Sequence, residues 1–367
     1  MKKNPSIFFI VPYPTDGASN RLRVEQYLPW LDKEGIKYRI RSFSSKRFYK
    51  ILYTKGQHAK KAVFFCIALF QRILDLLRAI PYDIVFIHRE ALPVGSILIE
   101  KIFAKMGKKI VFDFDDAIFL PSTSGINTFM DRFKNPGKIS KIITLSSHII
   151  AGNAYLAEYT KKFNDNVTVI PTAIDTERYQ PSVNRNPDNK TVIGWIGSFT
   201  TRTYLSDLET VFKKIKANFP DVVFKFVGNW DGTYGRIEGV DYEEWNLDKE
   251  PADLTSFDIG IMPMPNDMWT KGKCAFKIIL YMACGKPVIS SPVGVNKEVI
   301  EDGKNGFLAK TAQEWFEKLE MLIKDPALRE RMGKCGRRIT EEKYSVKRLA
   351  PDFINVIRKV YSEKGNL

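Results

Sequence analysis

Three carboxylates lie close together in the apolar stretch 110-IVFDFDDAIFL-120, at Asp113, Asp115 and Asp116. Burying a carboxylate costs free energy unless it is paired, so acids in such a run need a partner. The D-x-D spacing of Asp113 and Asp115 is one that can hold a divalent cation. However, neighbouring residues of a strand point to opposite sides of a sheet, which argues against a metal shared by adjacent acids. We therefore predict no metal here, and we expect Asp113 to pair internally with a nearby base.

A group of lysines forms a second candidate site. Lys271, Lys273 and Lys277 lie where a loop leads into a predicted helix. The free N–H groups of a helix start, together with these cations, suit a phosphate or a diphosphate. A solvated cluster of surface charges is the alternative that the residues alone leave open.

Alternating strands and helices must position both groups. Short apolar strands alternate with helical patterns along the whole chain, which is typical of parallel α/β sheets. In the first half we predict strands near 6–12, 36–42, 83–89, 109–114, 148–151 and 167–171, and helices around 20–34, 59–79, 93–106 and 153–163. In the second half we predict strands near 191–198, 222–229, 258–264 and 287–292, and a helix over 345–364 that breaks at Pro351.

The apolar pattern is interrupted by a segment rich in Pro, Asn and charge, which predicts a domain boundary. The predicted segments are a Rossmann-like domain over 1–172, a hinge over 173–190, a second Rossmann-like domain over 191–345, and a terminal helix over 346–367 that packs back on the first domain. Two doubly wound domains in tandem imply a cleft with ligands at the carboxyl ends of strands. The turns 194-GWIGS-198 and 227-VGN-229 lie at such ends, although each alone indicates only a tight turn.

The net charge of +15 belongs almost entirely to the first half of the chain. Lys and Arg outnumber Asp and Glu by 27 to 14 over residues 1–170, but only by 30 to 28 over 171–367. Ten basic residues and no acid lie between Gly35 and Leu74. Such a run favours an anionic partner. Because no nucleic-acid-binding motif accompanies it, we predict an anionic membrane surface and no nucleic acid.

The stretch 62–80 that follows is apolar, but Gln71, Arg72, Asp75 and Arg78 make it too polar to span a membrane, which takes about twenty nearly uncharged residues. A basic segment leading into a helix with a large apolar face is typical of proteins that lie on anionic membranes. A core helix beside a solvated basic segment is the alternative.

The N-terminal stretch predicts a cytoplasmic location, and the cysteines and histidines predict no structural metal site. The N-terminus runs into a strand with no secretory cleavage region, so we expect a cytoplasmic location, peripheral on the cytosolic face where a membrane is bound. Four scattered cysteines predict free thiols. The three histidines share no metal-binding spacing, and for His88 a structural role is at least as favoured as a place in the cleft.

The stretch 273-KCAFKIILYMACGKPVISSPVGVN-296 resembles the donor segment of the retaining glycosyltransferases of family 4, in a branch that reads K-C-x-F-K-x-x-x-Y-M-A-x-G-x-P-V-x-x-S-P-V-G-V-N. Further stretches resemble parts of the same family, namely 87–95, 111–119, 151–163, 169–181 and 193–201. The resemblance implies the GT-B fold, in which two Rossmann-like domains face each other across a cleft.

What the resemblance implies is transfer of a sugar from a nucleotide-diphosphate sugar to a glycan or lipid-linked acceptor, in the synthesis of a surface polysaccharide or glycolipid. The C-terminal domain would bind the donor and the N-terminal domain the acceptor. The leaving diphosphate would take the acceptor's proton on the front face of the sugar, so the reaction would need no protein nucleophile, metal or cofactor. The protein would position the reactants and stabilise charge on the departing phosphate.

Site residues follow from the same resemblance. Donor contacts are expected at Gly17, Gly197, Ser198, Arg202, Asn229, Lys273, Phe276 and Lys277. Acceptor contacts are expected at Arg21, Arg89, Glu90, Asp115 and Asp116. Arg202 and Lys277 are expected to be catalytic through their charge. Asp115, which aligns with the histidine of the family's His-Asp pair, is expected to orient the acceptor or stabilise positive charge.

One departure from the family pattern concerns donor recognition. Most members carry a Glu-x7-Glu motif that contacts the donor sugar and the ribose, but Gly272 and Leu280 occupy these positions. Neither side chain accepts a hydrogen bond. Other groups must then recognise the donor. The alternatives are a non-catalytic protein that binds a nucleotide sugar or glycan, and an enzyme that hydrolyses or rearranges a nucleotide sugar.

Overall fold

The computed structural model describes residues 4–52, 54, 56–121, 135–182, 190–230 and 236–363. The chain forms two compact units, Met1–Ala173 together with Leu349–Leu367, and Ile174–Arg348. Each unit is built on one parallel sheet of six strands. The predicted α/β fold class with two doubly wound sheets is therefore confirmed.

The sheet of the first unit has the strand order β2-β1-β3-β4-β5-β6. Its strands are β1 (Ser6–Val11), β2 (Lys37–Ser42), β3 (Ile84–His88), β4 (Lys109–Phe114), β5 (His148–Ala151) and β6 (Val167–Val169). The central strands β1, β3 and β4 are buried almost throughout, which explains why most of their residues are apolar. All six agree with the predicted strands to within two residues at each end.

The helices in this part of the chain are α1 (Ala18–Arg23), α2 (Leu28–Lys33), α3 (Lys46–Leu52), α4 (His58–Arg78), α5 (Leu98–Lys105), α6 (Lys138–Leu145) and α7 (Ala154–Lys161). The helix predicted over 20–34 is two helices, because a 3-10 turn at Glu25–Tyr27 separates them and Pro29 lies in the first turn of α2. The short helices α3 and α6 are not predicted by the sequence.

The sheet of the second unit has the order β12-β11-β10-β7-β8-β9. Its strands are β7 (Val192–Gly197), β8 (Val223–Gly228), β9 (Val240–Glu244), β10 (Ile259–Met262), β11 (Val288–Ser290) and β12 (Gly306–Leu308). The sequence misses both edge strands. β9 reads VDYEE and is largely exposed, whereas β12 has only three residues, so neither shows an apolar run.

The helices of the second unit are α8 (Phe199–Arg202), α9 (Glu209–Asn218), α10 (Glu250–Thr255), α11 (Met268–Lys271), α12 (Phe276–Ala283), α13 (Asn296–Val299), α14 (Ala312–Lys324) and α15 (Pro326–Ile339). α12 is buried from Ile278 to Ala283, which matches its almost wholly apolar sequence. A π-helical turn over Thr340–Tyr344 follows α15.

The C-terminal helix α16 (Val346–Ser362) contains Pro351 without a break, so the predicted break is wrong. Pro351 is exposed, and so is Lys347, whose carbonyl group loses its helical partner and can bind water. The opposite face of α16 is held by packing within the first unit. The ring of Phe353 stacks on Tyr27 at 4.4 Å between centroids.

Candidate functional site

The carboxyl ends of β3 and β4 bring three of the predicted acceptor residues together. Arg89 follows β3, while Asp115 and Asp116 follow its parallel neighbour β4. Arg89 Nη2 donates to Asp115 Oδ1 at 3.1 Å and also to Asp116 Oδ2. The three side chains are 16 to 21% exposed. This ion-pair cluster therefore lies where a ligand can reach it.

The backbone of Arg89 is strained at this position. Its φ is +64°, a left-handed conformation that costs a residue with a side chain about 1–2 kcal/mol. The Arg89 N–H group donates to the Asp113 carbonyl oxygen at 2.7 Å, which holds the strained peptide in place. Strain of this kind is concentrated at functional sites, where the surrounding structure enforces it.

Asp115 and Asp116 do not diverge, contrary to the argument from strand alternation. β4 ends at Phe114, so both acids lie in a bend where alternation no longer applies, and both reach the same guanidinium group. Burial acts to raise the pKa of Asp115, but Arg89 and other cations lower it to about 2. Asp115 is thus ionised at physiological pH. Within the described ranges, no three His, Cys, Asp or Glu residues cluster as metal ligands.

Asp113 lies beneath this cluster in a buried polar network. Its carboxylate accepts from Arg23 Nη2 and, at 3.2 Å, from Arg23 Nε. The other partner is His88, whose Nδ1 lies 2.6 Å from Asp113 Oδ2 and whose Nε2 lies 2.5 Å from Ser19 Oγ. Burial acts to raise the pKa of Asp113, but Arg23 and His88 hold it below its usual value. The predicted internal pairing of Asp113 is confirmed. Of the two interpretations left open for His88, its full burial against Asp113 favours the structural one.

The other candidates of the first unit have partners within it. Glu90 forms an ion pair with the buried Lys138. Arg21 Nη1 donates to the Thr15 carbonyl oxygen at 3.1 Å. Gly17 has an internal reason to be glycine, because a Cβ atom there would lie 2.5 Å from the Cβ of Tyr13.

Two aromatic rings of the first unit form a pair. The rings of Tyr13 and Tyr49 lie 5.3 Å apart. Burial raises the pKa of Tyr49, whereas the charges of Arg21 and Arg89 act to lower it. The sequence does not single out either tyrosine.

In the second unit, Lys277 connects α12 to the end of β7. Its ammonium group donates to Thr201 Oγ1 at 2.8 Å and lies 4.5 Å from the centroid of the Trp195 ring. A Cβ atom at Gly197 would approach Lys277 Nζ to 2.6 Å and the Trp195 ring to 2.4 Å. Gly197 therefore leaves the space that Lys277 occupies, a close approach for which only glycine is small enough.

The environment of Lys277 disfavours its charged form. Burial lowers its pKa well below the usual value, and the nearby charge of Lys273 lowers it further. The residue before the helix, Ala275, has a left-handed φ of +53°, so this turn of backbone is strained as well. An anionic ligand would reverse the effect on Lys277, since a negative charge favours the ammonium form.

Arg202 lies at the end of α8, and 94% of its surface is buried. Its guanidinium carbon is 4.8 Å from the centroid of the Trp230 ring, a cation–π arrangement. Arg202 also lines a cavity of about 350 Å³, together with Thr203, Leu205, Ser206, Glu209, Arg236, Ile237 and Tyr242. The second unit thus holds Arg202 and Lys277 near the carboxyl ends of β7 and β8.

The remaining donor candidates are less closely tied to this arrangement. The Ser198 carbonyl oxygen accepts from the Thr201 N–H group at 3.0 Å, which shapes the turn before α8. Phe276 packs at the edge of the hydrophobic core, and Asn229 is exposed after β8.

The positions aligned with the Glu-x7-Glu motif offer no side-chain hydrogen bond. Leu280 is 3% exposed and belongs to the core, and Gly272 is buried. Beside Leu280, Tyr281 Oη accepts from the Ile196 N–H group at 3.0 Å and donates to the Ile261 carbonyl oxygen at 3.3 Å. Tyr281 thereby ties α12 to β7 and β10.

Substituting Gly197 with alanine tests this packing. We expect Gly197→Ala to displace Lys277 and Trp195 and to lower the free energy of unfolding by about 1–3 kcal/mol, as overpacking does. Thermal unfolding measures the change. Gly137→Ala is the matched control, because its added Cβ would come no closer than 3.4 Å to Asn135 and its φ is −64°. Equal unfolding midpoints for the two variants would contradict the assigned role of Gly197.

Comparison with known proteins finds a family model that matches part of the second unit. Residues 190–325 match the family model described as "Glycosyl transferases group 1". A stretch of 81 residues is 37% identical to "Spore coat protein SA" of Bacillus subtilis strain 168, covering 21% of this chain and 22% of that protein. The chain thus spans about a fifth of that curated relative, and 44% of another.

Solved structures resemble the chain over nearly its full length. The structure of Anabaena HepE in complex with UDP-glucose matches with a TM-score of 0.70 and 16% identity, covering 97% of this chain and all of that one. Sucrose-phosphate synthase from Thermosynechococcus elongatus matches with a TM-score of 0.71 and 14% identity, covering 98% of this chain and all of that one. These neighbours confirm the predicted GT-B fold.

Proposed function

We propose that this protein is a retaining glycosyltransferase that moves a sugar from a nucleotide-diphosphate sugar to a glycan or lipid-linked acceptor in surface polysaccharide or glycolipid synthesis. The observation that carries the proposal is the placement of Lys277 against Trp195 and Thr201, with Arg202 directly after Thr201 at the end of α8. Two cations at the carboxyl edge of a parallel sheet suit a diphosphate. The group 1 match over residues 190–325 and the UDP-glucose bound to Anabaena HepE support it.

In this reaction the bond between the anomeric carbon and the diphosphate breaks, and negative charge grows on the departing oxygen. Lys277 and Arg202 stabilise that charge, which favours the transition state over the ground state. The departing phosphate takes the proton of the acceptor hydroxyl, and the new bond between the acceptor oxygen and the anomeric carbon forms on the same face of the sugar.

Because protein cations stabilise the leaving group, the proposal includes no metal or cofactor. We therefore expect the turnover rate to be unchanged by EDTA.

The cluster of Arg89, Asp115 and Asp116 serves the acceptor in this proposal. The ionised Asp115 accepts a hydrogen bond from an acceptor hydroxyl and stabilises positive charge on the sugar as the bond breaks. Arg89 fixes the position of both carboxylates, because its strained backbone is held in place and its Nη2 donates to Asp115 and Asp116 alike. Its guanidinium group thus positions the acids.

Asp115→Asn tests this role because it removes the charge and keeps the shape. We expect kcat to fall about 10- to 100-fold, with little change in nucleotide affinity, since the acid acts on the acceptor side. Steady-state kinetics and calorimetric titration with the nucleotide measure the two effects. Asp207→Asn, an exposed substitution in the second unit, is the control. If Asp115→Asn turned over at the wild-type rate, Asp115 would have no role in transfer.

A second candidate function is a non-catalytic protein that binds a nucleotide sugar. The burial of Leu280 and Gly272 favours it, because the acids that usually contact the ribose and the sugar are replaced by groups without a side-chain acceptor. A third is hydrolysis or rearrangement of a nucleotide sugar.

Incubation of the purified protein with a panel of nucleotide sugars, with and without a lipid-linked acceptor, separates the three. Transfer predicts that nucleotide release and glycosylated product both depend on the acceptor. Binding without release would favour the non-catalytic protein. Acceptor-independent release of nucleotide or appearance of a new nucleotide sugar would favour hydrolysis or rearrangement.

A further inference from the structure

The solvent-facing side of α4 is apolar along most of its length. Val63, Ile67, Phe70, Ile73 and Leu77 on this helix are each half exposed or more. Ile80, just past the end of α4, continues the line and is 55% exposed. The spacing of three or four residues aligns the six side chains in one stripe along the helix. From Val63 to Leu77 the stripe is about 21 Å long at 1.5 Å per residue.

Two charged side chains in the second half of α4, Arg72 and Asp75, face the protein, which reverses the usual arrangement of a surface helix. Arg72 and Asp75 are both 1% exposed. Asp75 forms ion pairs with Arg72 at 3.2 Å, Arg41 at 2.9 Å and Arg78 at 2.9 Å. Arg72 Nε also donates to the Ala91 carbonyl oxygen at 3.0 Å. Rolling the helix to hide its apolar stripe would break this network and leave buried charges unpaired, so the stripe is held outward.

Exposed cations lie on α3, which packs against α4, and near the start of α4. α3 packs on the first half of α4 through Phe48 and Phe64, whose rings are 5.8 Å apart. The exposed bases of this region are Lys46, Arg47 and Lys50 on α3 and Lys60 on α4. No acid occurs between Gly35 and Leu74 to balance them.

The apolar stripe and the exposed bases together indicate the kind of partner. An apolar stripe on a helix that carries bases near its start and on the helix packed against it matches a surface with an apolar interior and anionic groups at its edge. An anionic lipid bilayer is such a surface. A second copy of this chain would bring the same bases against these, so like charges would oppose pairing. Among the described helices, none is long and apolar enough to cross a membrane. The stripe therefore suits a helix that lies in the interface.

We propose that α4 docks this protein on anionic membranes, with the stripe of Val63, Ile67, Phe70, Ile73, Leu77 and Ile80 inserted among the acyl chains and the bases of α3 against the headgroups. The surface is separate from the residues proposed for glycosyl transfer. The inference thus goes beyond the proposed function and holds whether or not that function is correct. If both hold, the stripe keeps the enzyme where a lipid-linked acceptor resides.

Sedimentation of the full-length protein with vesicles tests the proposal. We expect binding to vesicles of 30% phosphatidylserine in phosphatidylcholine, and weak binding to phosphatidylcholine alone. The triple variant Ile67→Ser, Phe70→Ser and Leu77→Ser should lose at least tenfold in affinity, while its thermal midpoint stays within a few degrees because these side chains are exposed. Met321→Ser, at a 48% exposed position in the second unit, should bind like the wild type.

The contribution of the α3 bases to binding is tested separately. The variant Lys46→Gln, Arg47→Gln and Lys50→Gln should lose about fivefold in vesicle affinity per residue and most of the salt dependence of binding.

The orientation of α4 is tested by the reactivity of Cys66, which is exposed on this helix. Vesicles should slow its reaction with a maleimide that does not cross membranes. Cys335, in the second unit, should react at an unchanged rate.

Two outcomes would overturn the proposal. One is equal sedimentation of the serine triple variant and the wild type with anionic vesicles. The other is a wild-type protein that does not bind vesicles but forms a dimer by light scattering, while the serine triple variant stays monomeric. That result would assign the stripe to a second copy of the chain.

Discussion

Replacing Lys277 with methionine is expected to lower kcat/KM for glycosyl transfer about 100- to 1,000-fold, the usual cost of removing one preorganised charge at a reacting oxygen. Methionine keeps much of the lysine volume and removes the charge. Lys334→Met, at a 76% exposed position, is the control and should leave kcat/KM unchanged. Transfer by Lys277→Met at the wild-type rate would show that another group stabilises the departing phosphate.

The same substitution is expected to stabilise the protein by about 1 kcal/mol, because functional groups are commonly placed at a cost to stability. Burial lowers the pKa of Lys277 well below its usual value of 10.5, so the unfolded chain binds a proton that the folded chain binds less readily. Wild-type stability therefore rises with pH from the lowered pKa up to about 10.5, and the advantage of methionine is largest below that window. Thermal melts across this pH range measure it.

Nucleotide binding should couple to the same proton. A diphosphate beside Lys277 favours the ammonium form, so binding takes up a proton at pH values above the lowered pKa, and affinity falls as the pH rises further. Calorimetry in buffers with different ionisation enthalpies detects this uptake. Proton uptake should be present in the wild type and absent in Lys277→Met. A lysine with only a structural role would give no such difference between the two proteins.

The sequence predicts the fold well because burial leaves a direct pattern. β1, β3 and β4 are covered on both faces and are therefore mostly apolar, which locates them to within a residue at each end. β9 and β12 are missed because an exposed strand and a three-residue strand carry no such pattern. Pro351 is misread because the effect of proline depends on whether the freed carbonyl group reaches water, which sequence does not reveal.

The candidate site is predictable in its residue types but less so in its contacts. Asp115 and Asp116 are named from sequence because they align with the His-Asp pair of the family that the chain resembles, and Arg89 because it lies at the end of a predicted strand. Their shared contact depends on a bend after Phe114 and on the left-handed backbone of Arg89, which no local signal announces. Trp195 and Thr201 are missed as partners of Lys277 for a similar reason, since 76 residues separate Lys277 from Thr201.

Replacing Asp113 with asparagine is expected to destabilise the first unit by about 3–5 kcal/mol, the cost of removing one partner of a buried ion pair. Arg23 is 2% exposed and His88 is fully buried, so neither can turn to water when the carboxylate is lost. Asparagine keeps the shape, which isolates the effect of the charge. Denaturant unfolding measures the loss. Glu330→Gln, in an exposed pair with Lys334, should cost less than about 1 kcal/mol.

The pH dependence of this loss distinguishes charge from packing. Arg23 and His88 hold the pKa of Asp113 below its usual value of 3.8, so the stabilisation by the carboxylate is complete above that pH and disappears as the pH falls through the lowered pKa. The difference between wild type and Asp113→Asn should shrink accordingly in acid.

A double variant, Arg23→Met with Asp113→Asn, should recover at least 1 kcal/mol relative to the sum of the two single losses, since no buried charge is then left unpaired. Strictly additive losses would mean that Arg23 and Asp113 do not stabilise one another, and the short contacts between them would carry no net free energy.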